Sequence, residues 1–295
     1  MAGPDRVART IAGGREQAAG ARSSGGGIDG DNGMAHDIAA LRQRASGRLG
    51  HLYNEAALGA DPGWTEAQKL TLACRILAAD GHDTIVPGLV LARTSQPDVF
   101  VTLPMGIGFD EVRLGDILRV DGHLNVLHGR GAPPKAVGFL VKIHQLRPDI
   151  RCAIHTHAPY TAALSMIDEP LAVAHMDATM FYDDCAFLRE WPGNPVTELE
   201  GELISRALGA KRAILLANHG LATVGESIEE ALWMALCFER AAKMQLRARA
   251  AGRLRAIDPD FARDAHDYMT DPTMVATQFR RLARRVLRED PGCLD

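Results

Sequence analysis

Apolar positions recur along this chain in two periods, one helical and one of strands. From His36 to about Leu58 the residues Ile38, Leu41, Leu49 and Leu52 repeat at helical spacing, which predicts a first helix. Thr65 then stands as an N-cap before Leu70, Leu72, Ile76 and Leu77, and Gly81 ends this second helix. Four short β-type runs follow, at 84–93, 98–104, 117–121 and 123–129, separated by Gly, Pro and Asp turns. A helix over 135–146 leads through Arg147-Pro148-Asp149 into RCAIHTH, a buried-looking strand. Pro159 opens another helix, since proline suits a first helical turn. Two short strands are expected next, around LAVAHMD (171–177) and CAFLRE (185–190). A helix over 198–208 stops at Gly209. AILLAN and LATVG then form a tight strand pair around His219 and Gly220, the glycine letting the chain turn sharply after the histidine. Ser227, with Glu230 three residues on, reads as a capping box for a long amphipathic helix to about Ala250. The remainder is helical and basic, and its FRRLARRVLRE stretch reads as a solvated face. Strands in the middle with helices on both sides predict one α/β domain over 36–255, followed by a helical extension over 256–295.

The first 35 residues depart from this pattern. They are rich in Gly, Ala, Ser and Arg with almost no large apolar side chain, so they are expected to form a disordered tail that cannot offset its own ordering entropy.

Composition narrows the class of partner. The chain has 295 residues, 46% hydrophobic and 24% charged, which is enough to bury a substantial core. Its 33 basic and 37 acidic residues leave a net charge of −4, with no basic block. That balance argues against nucleic-acid and acidic-membrane partners. No apolar run approaches the roughly 20 residues of a membrane span. The N-terminus lacks the roughly 7–15-residue apolar stretch of a secretory signal. Five cysteines without a CxxC spacing read as reduced thiols, mostly packed as small hydrophobes, in a cytoplasmic protein.

Against this ordinary background one constellation carries chemistry. His155 and His157 sit two apart on a strand-like run, so both imidazoles project from one face. That pair suits Zn, Fe or Mn, and His219 in its strand–turn–strand setting is the third candidate ligand. Three protein ligands with open positions make a catalytic rather than a structural metal site.

RPDIRCAIHTHAPY, followed by EGELISRALGAKRAILLANHGLATVGESIEEA, resembles the class II aldolase/adducin family over about residues 38–250. The resemblance implies a three-layer α/β/α domain with a mixed, mostly antiparallel central sheet. It implies a divalent metal on His155, His157 and His219, and a homotetramer with active sites between neighbouring subunits. It also exposes a departure. The aldolases of the family carry Ser-Ser-Glu at the start of the helix before the HTH strand, the serines for a sugar phosphate and the Glu as acid/base. Here those positions read Pro134-Lys135-Ala136, and no carboxylate lies anywhere from Gly131 to Arg147. A GN-S loop expected early in the fold reads Pro87-Gly88-Leu89-Val90. Phosphosugar aldol chemistry thus loses both its phosphate cradle and its proton carrier.

The departure resembles the branch of the family that holds the non-haem iron oxygenases of aminocoumarin antibiotic biosynthesis. That likeness implies an oxidoreductase, a dioxygenase with Fe(II) and O₂, converting a (prenylated) 4-hydroxyphenylpyruvate towards mandelate and benzoate with loss of CO₂. The alternatives are a Mn- or Zn-dependent aromatic-acid decarboxylase, a class II sugar-phosphate aldolase, and a non-enzymatic adducin-like module, which would have lost its metal ligands. Lys135 is the candidate contact to a substrate carboxylate, and Tyr182 a candidate because sites of the family use tyrosines near subunit contacts. His144 and His175 read as satisfied structural histidines. Val137, Phe139, Leu140 and Met166 would suit an apolar ring if they do not simply form core.

Overall fold

A computed structural model of the chain describes residues 62–85, 88–191, 193 and 198–295. The tail and the helix expected over 36–58 lie outside them. The second helix, α1 (Glu66–Ala79), forms as its cap predicts: Gln68 donates its backbone N–H to the Thr65 hydroxyl at 3.3 Å, and the Gln68 side chain accepts the Thr65 N–H at 3.0 Å. Its apolar stripe, Leu70, Leu72, Cys74, Ile76 and Leu77, is fully buried.

The β-type runs become shorter strands, β1 (Leu89–Arg93), β2 (Val99–Thr102), β3 (Leu118–Asp121) and β4 (Val126–His128). Helix α2 (Val137–Leu146) leads into β5 (Cys152–Thr156) and α3 (Pro159–Ser165), with Pro159 in its first turn. Then come α4 (Met176–Thr179), β6 (Cys185–Leu188), α5 (Glu198–Leu208), β7 (Ala213–Leu216), β8 (Gly220–Gly225) and the long α6 (Ile228–Ala251). The chain closes with α7 (Pro259–Met269), α8 (Pro272–Glu289) and a 3₁₀ turn (Pro291–Leu294).

The strands make one sheet in the order β4-β3-β2-β1-β5-β8-β7-β6. Every neighbouring pair is antiparallel except β6 with β7. β5 lies inside the sheet, with His155 opposite Leu89 of β1 and Ala222 of β8. Strand alternation splits the core into layers. Cys152 and Ile154 join α1 and α6 on one face, whereas Ala153 joins α2 and α5 on the other. This is a three-layer α/β/α fold with a mixed, mostly antiparallel sheet.

Three local expectations need correction. LAVAHMD contributes no strand, because Ala172 donates its N–H to the Gln245 side chain at 2.7 Å rather than to a neighbouring strand. His175 is exposed there and caps α4. Ser227 does cap α6, but the Glu230 carboxylate accepts from Glu226 N and Arg212 rather than closing the box on Ser227. FRRLARRVLRE is solvated on one side only: Phe279, Leu282, Ala283 and Val286 sit in the same core as α1, while Arg281, Arg284 and Arg288 are exposed. All five cysteines are free, and four of them are buried.

Candidate metal centre

Because Cys152, Ile154 and Thr156 face the α1 and α6 layer, alternation directs His155 to the α2 side. There Phe139 of α2 meets its ring edge-on at 5.1 Å. His157 follows one residue past the strand, and its ring centroid lies 4.6 Å from that of His155. His219, reached through the turn before β8, completes a triangle at 4.8 and 4.9 Å from the other two rings.

The turn is made differently from the sequence expectation. Gly220 is not the residue in a left-handed conformation; Asn218 is, at φ 55°, a region that asparagine tolerates better than most residues. Gly220 is required for a different reason. A Cβ there would sit 2.5 Å from the Thr156 carbonyl oxygen and 3.0 Å from His157 Cδ2, so only a bare Cα lets β8 close against β5 at the ligands. Gly88 plays the same part on the other side, where a Cβ would lie 2.8 Å from the His155 carbonyl.

The donor set fits a divalent cation. His155 Nδ1 donates to the Leu221 carbonyl at 2.8 Å, which leaves Nε2 as a lone pair, the arrangement of most metal-ligating histidines. That Nε2 lies 3.0 Å from His157 Nε2. Two nitrogens each about 2.1 Å from one metal stand about 3.0 Å apart at a right angle and about 3.4 Å apart in a tetrahedron, so this spacing is that of a ligand pair. All three donor atoms lie within 4.8 Å of one another. Burial and the neighbouring imidazoles hold the His155 pKa well below its ordinary value. Burial, then His157, pushes that of His219 down to about 4. Both rings are therefore neutral, ready to donate their lone pairs, across the physiological range.

Two supports lie far away in sequence, and no local signal marks them. Ala158 offers no side-chain cap to α3, and Glu239 of α6 supplies one from below. Its buried carboxylate accepts from Tyr160 N at 2.9 Å and from both N and Oγ1 of Thr161 at 2.7 Å. The chain leaving His157 is thereby clamped. On the opposite face of β5, fully buried His82 holds Thr156, the residue between the two ligands, with Nδ1 2.9 Å from Oγ1.

The remaining candidates divide. Lys135 is exposed in the turn before α2. Tyr182 is half-buried in the turn after α4, its ring under the Arg263 guanidinium at 5.7 Å. His144 is a core histidine, 3.3 Å from the carbonyls of Leu91 and Ile150, and burial pushes its pKa down to about 4. Val137, Phe139 and Leu140 are core, whereas Met166 is exposed, so they do not form one apolar wall. The start of α2 holds no acid: its cap is Ala136, and its first turn has no acidic residue.

The profile described as Class II Aldolase and Adducin N-terminal domain matches residues 68–246, more than half of the chain. Among curated proteins, the decarboxylase NovR of Streptomyces niveus is 29% identical over 212 residues, covering 71% of this chain and 78% of that protein. A 4-hydroxy-3-prenylphenylpyruvate oxygenase/4-hydroxy-3-prenylbenzoate synthase of Streptomyces roseochromogenus subsp. oscitans is 31% identical over 184 residues, 62% of this chain and 66% of its own length. Among solved structures, an L-fuculose 1-phosphate aldolase from Glaciozyma antarctica PI12 superposes with a TM-score of 0.73 at 27% identity, covering 82% of this chain and all of that one.

Proposed function

Since the chain belongs to the class II aldolase and adducin family, we propose that it is a metal-dependent enzyme that removes CO₂ from an aromatic 2-oxo or 2-hydroxy acid. In its finer form the proposal is a non-haem Fe(II) oxygenase acting on 4-hydroxyphenylpyruvate or a prenylated relative. One observation carries the reading: the three-histidine cluster is complete while the start of α2 offers no carboxylate. An aldolase that deprotonates its substrate needs such a base within hydrogen-bond reach. The likeness to the two Streptomyces proteins supports the same direction.

A cation held there would supply Lewis acidity and open positions that suit the two oxygens of a 2-oxo acid, and as Fe(II), unlike redox-inert Zn, it would also supply electrons for O₂ chemistry. The chain's own residues do the rest. His155, held in one tautomer by the Leu221 carbonyl, presents Nε2, and His157 and His219 close the triangle. Phe139 packs edge-on against the α2 side of His155. Lys135, an exposed cation at the helix start, is the contact proposed for the substrate carboxylate, and Tyr182 is proposed to act at a contact with a neighbouring subunit of a homotetramer. Without a carboxylate at the start of α2, bond cleavages that need no proton abstraction by such a group, such as loss of CO₂, suit the site.

The test is anaerobic reconstitution with Fe(II), then addition of 4-hydroxyphenylpyruvate with and without O₂ while O₂ uptake and CO₂ release are followed. CO₂ release that depends on O₂ is expected. Equal release without O₂ selects the Mn or Zn decarboxylase. No turnover of any aromatic acid, with cleavage of a sugar phosphate, refutes the proposal.

A further inference from the structure

Among the described residues, His82 is the one buried histidine outside the triad that is coupled to the ligand strand. It lies three residues past α1, fully buried under the sheet, and reaches Thr156 from the face opposite the metal ligands. Thr156 is itself buried, and its backbone is the last rung of the ladder with β8, opposite Leu221. Leu221 is the residue whose carbonyl orients His155. Beyond that rung His157 is no longer held by strand pairing. Glu239 clamps the segment beyond His157, and rotation of the strand end about its own axis would still disperse the ligands.

The other ring nitrogen of His82, Nε2, has no hydrogen-bond partner among the described residues. A leucine would fill the same space without burying an unmatched nitrogen, so stability alone does not account for an imidazole here. What the imidazole adds is its one bond, to the hydroxyl between the two ligands. We propose that His82 is a positioning residue for the metal site, a latch that fixes the rotation of the β5 end through Thr156.

Geometry sets the scale. A donor nitrogen stands about 6 Å from the strand axis, so a rotation of about 10°, the tolerance of a working site, moves it by about 1 Å. Metal–ligand distances tolerate only about 0.2 Å. A bond on the far face that removes this rotation therefore acts on metal affinity far more than on folding. Partners that orient ligands from outside the ligand set change affinity by about 10–100-fold.

The inference rests on the three-histidine reading of the site, and the experiment separates the two. Co(II) affinity and the visible spectrum of bound Co(II) are measured for the whole chain and for T156V, T156S, H82L, H82N and the H82L/T156V pair, beside thermal melting of each metal-free protein. T156V and H82L are each expected to lose about tenfold in Co(II) affinity with an altered spectrum, and the pair to lose no more than either alone. T156S and H82N, which keep a hydrogen bond, should stay near the wild-type affinity. The metal-free pair should melt no lower than wild type, because both partners of the bond have gone together. Wild-type affinity in T156V and H82L overturns the latch, as does an affinity loss that merely tracks melting. A wild-type chain that binds no Co(II) refutes the metal reading and the latch with it.

Discussion

Replacing Gly220 by alanine puts one methyl group where β8 presses on the ligand strand. The new Cβ would lie 2.5 Å from the Thr156 carbonyl oxygen, and non-bonded Cβ contacts essentially never fall under 3.0 Å, so the strands must part by at least about 0.5 Å. His157 is on the moving side, its Cδ2 3.0 Å from the same Cβ. Overpacking of this kind costs about 1–3 kcal/mol. For a domain of this size that lowers Tm by about 2–10 °C. The displacement exceeds the roughly 0.2 Å that metal–ligand distances allow, so the metal should bind at least about tenfold more weakly. The assay is a competition titration with Co(II) or Mn(II), run beside thermal melting of the metal-free protein. Gly138→Ala is the control, because it is the same change inside α2 with nothing within 4 Å of the added Cβ. It should leave affinity unchanged and raise stability by up to about 1 kcal/mol. Wild-type affinity in G220A would refute the close-approach argument.

Other perturbations probe the site and the frame separately. Alanine at His155, His157 or His219 should abolish stoichiometric metal binding, read by elemental analysis; full occupancy in H219A would remove that residue from the ligand set. E239A strands two backbone N–H groups and a hydroxyl at the start of α3 and should destabilise by about 1–3 kcal/mol in chemical denaturation, whereas a loss under about 0.5 kcal/mol would deny it the capping role. His266 stands between Asp184 and Arg212, and its pKa is raised, chiefly by the hydrogen bond to Asp184. A raised histidine pKa stabilises below its unfolded value and loses that contribution as pH rises through the folded one. H266Q should therefore cost the metal-free protein more at pH 5.5 than at pH 8; a deficit larger at pH 8 would reverse the assigned sign. Light scattering tests the proposed tetramer, which a monomer at micromolar concentration would exclude.

The clustering of His155, His157 and His219 was legible in the sequence because much of its logic is local. A spacing of two on a strand, and a histidine in a turn between two strands, carry their geometry with them. The caps at Thr65 and Ser227 and the first-turn proline at Pro159 were equally readable. What escaped depends on partners distant in the chain. LAVAHMD has the composition of a strand, yet Gln245 of α6 takes the Ala172 N–H that a strand neighbour would have used. Gly220 looked like a turn residue, and its purpose became visible only once Thr156 stood against it. Glu239 reads as one more charge on an amphipathic helix, and His82 as a residue after a helix stop. Their roles exist only where α6 and the end of α1 meet the ligand strand.

The seat of the missing acid and the cradle of the metal belong to different pieces of architecture. The three histidines are fixed by the β5–β8 ladder, by Glu239 and by His82, none of which includes the turn at 134–136. That turn opens a helix whose cap accepts no side-chain bond, and no hydrogen bond of the ladder runs to Ala136. A glutamate placed there would face the positive end of α2 and add about 0.3–1 kcal/mol in its favour. The helix start can thus vary while the ladder that seats the histidines stays as it is, as one swaps the tool in a fixed chuck. Whether an acid stands at the helix start is decided in that turn, and the seating of the three histidines is decided in the sheet.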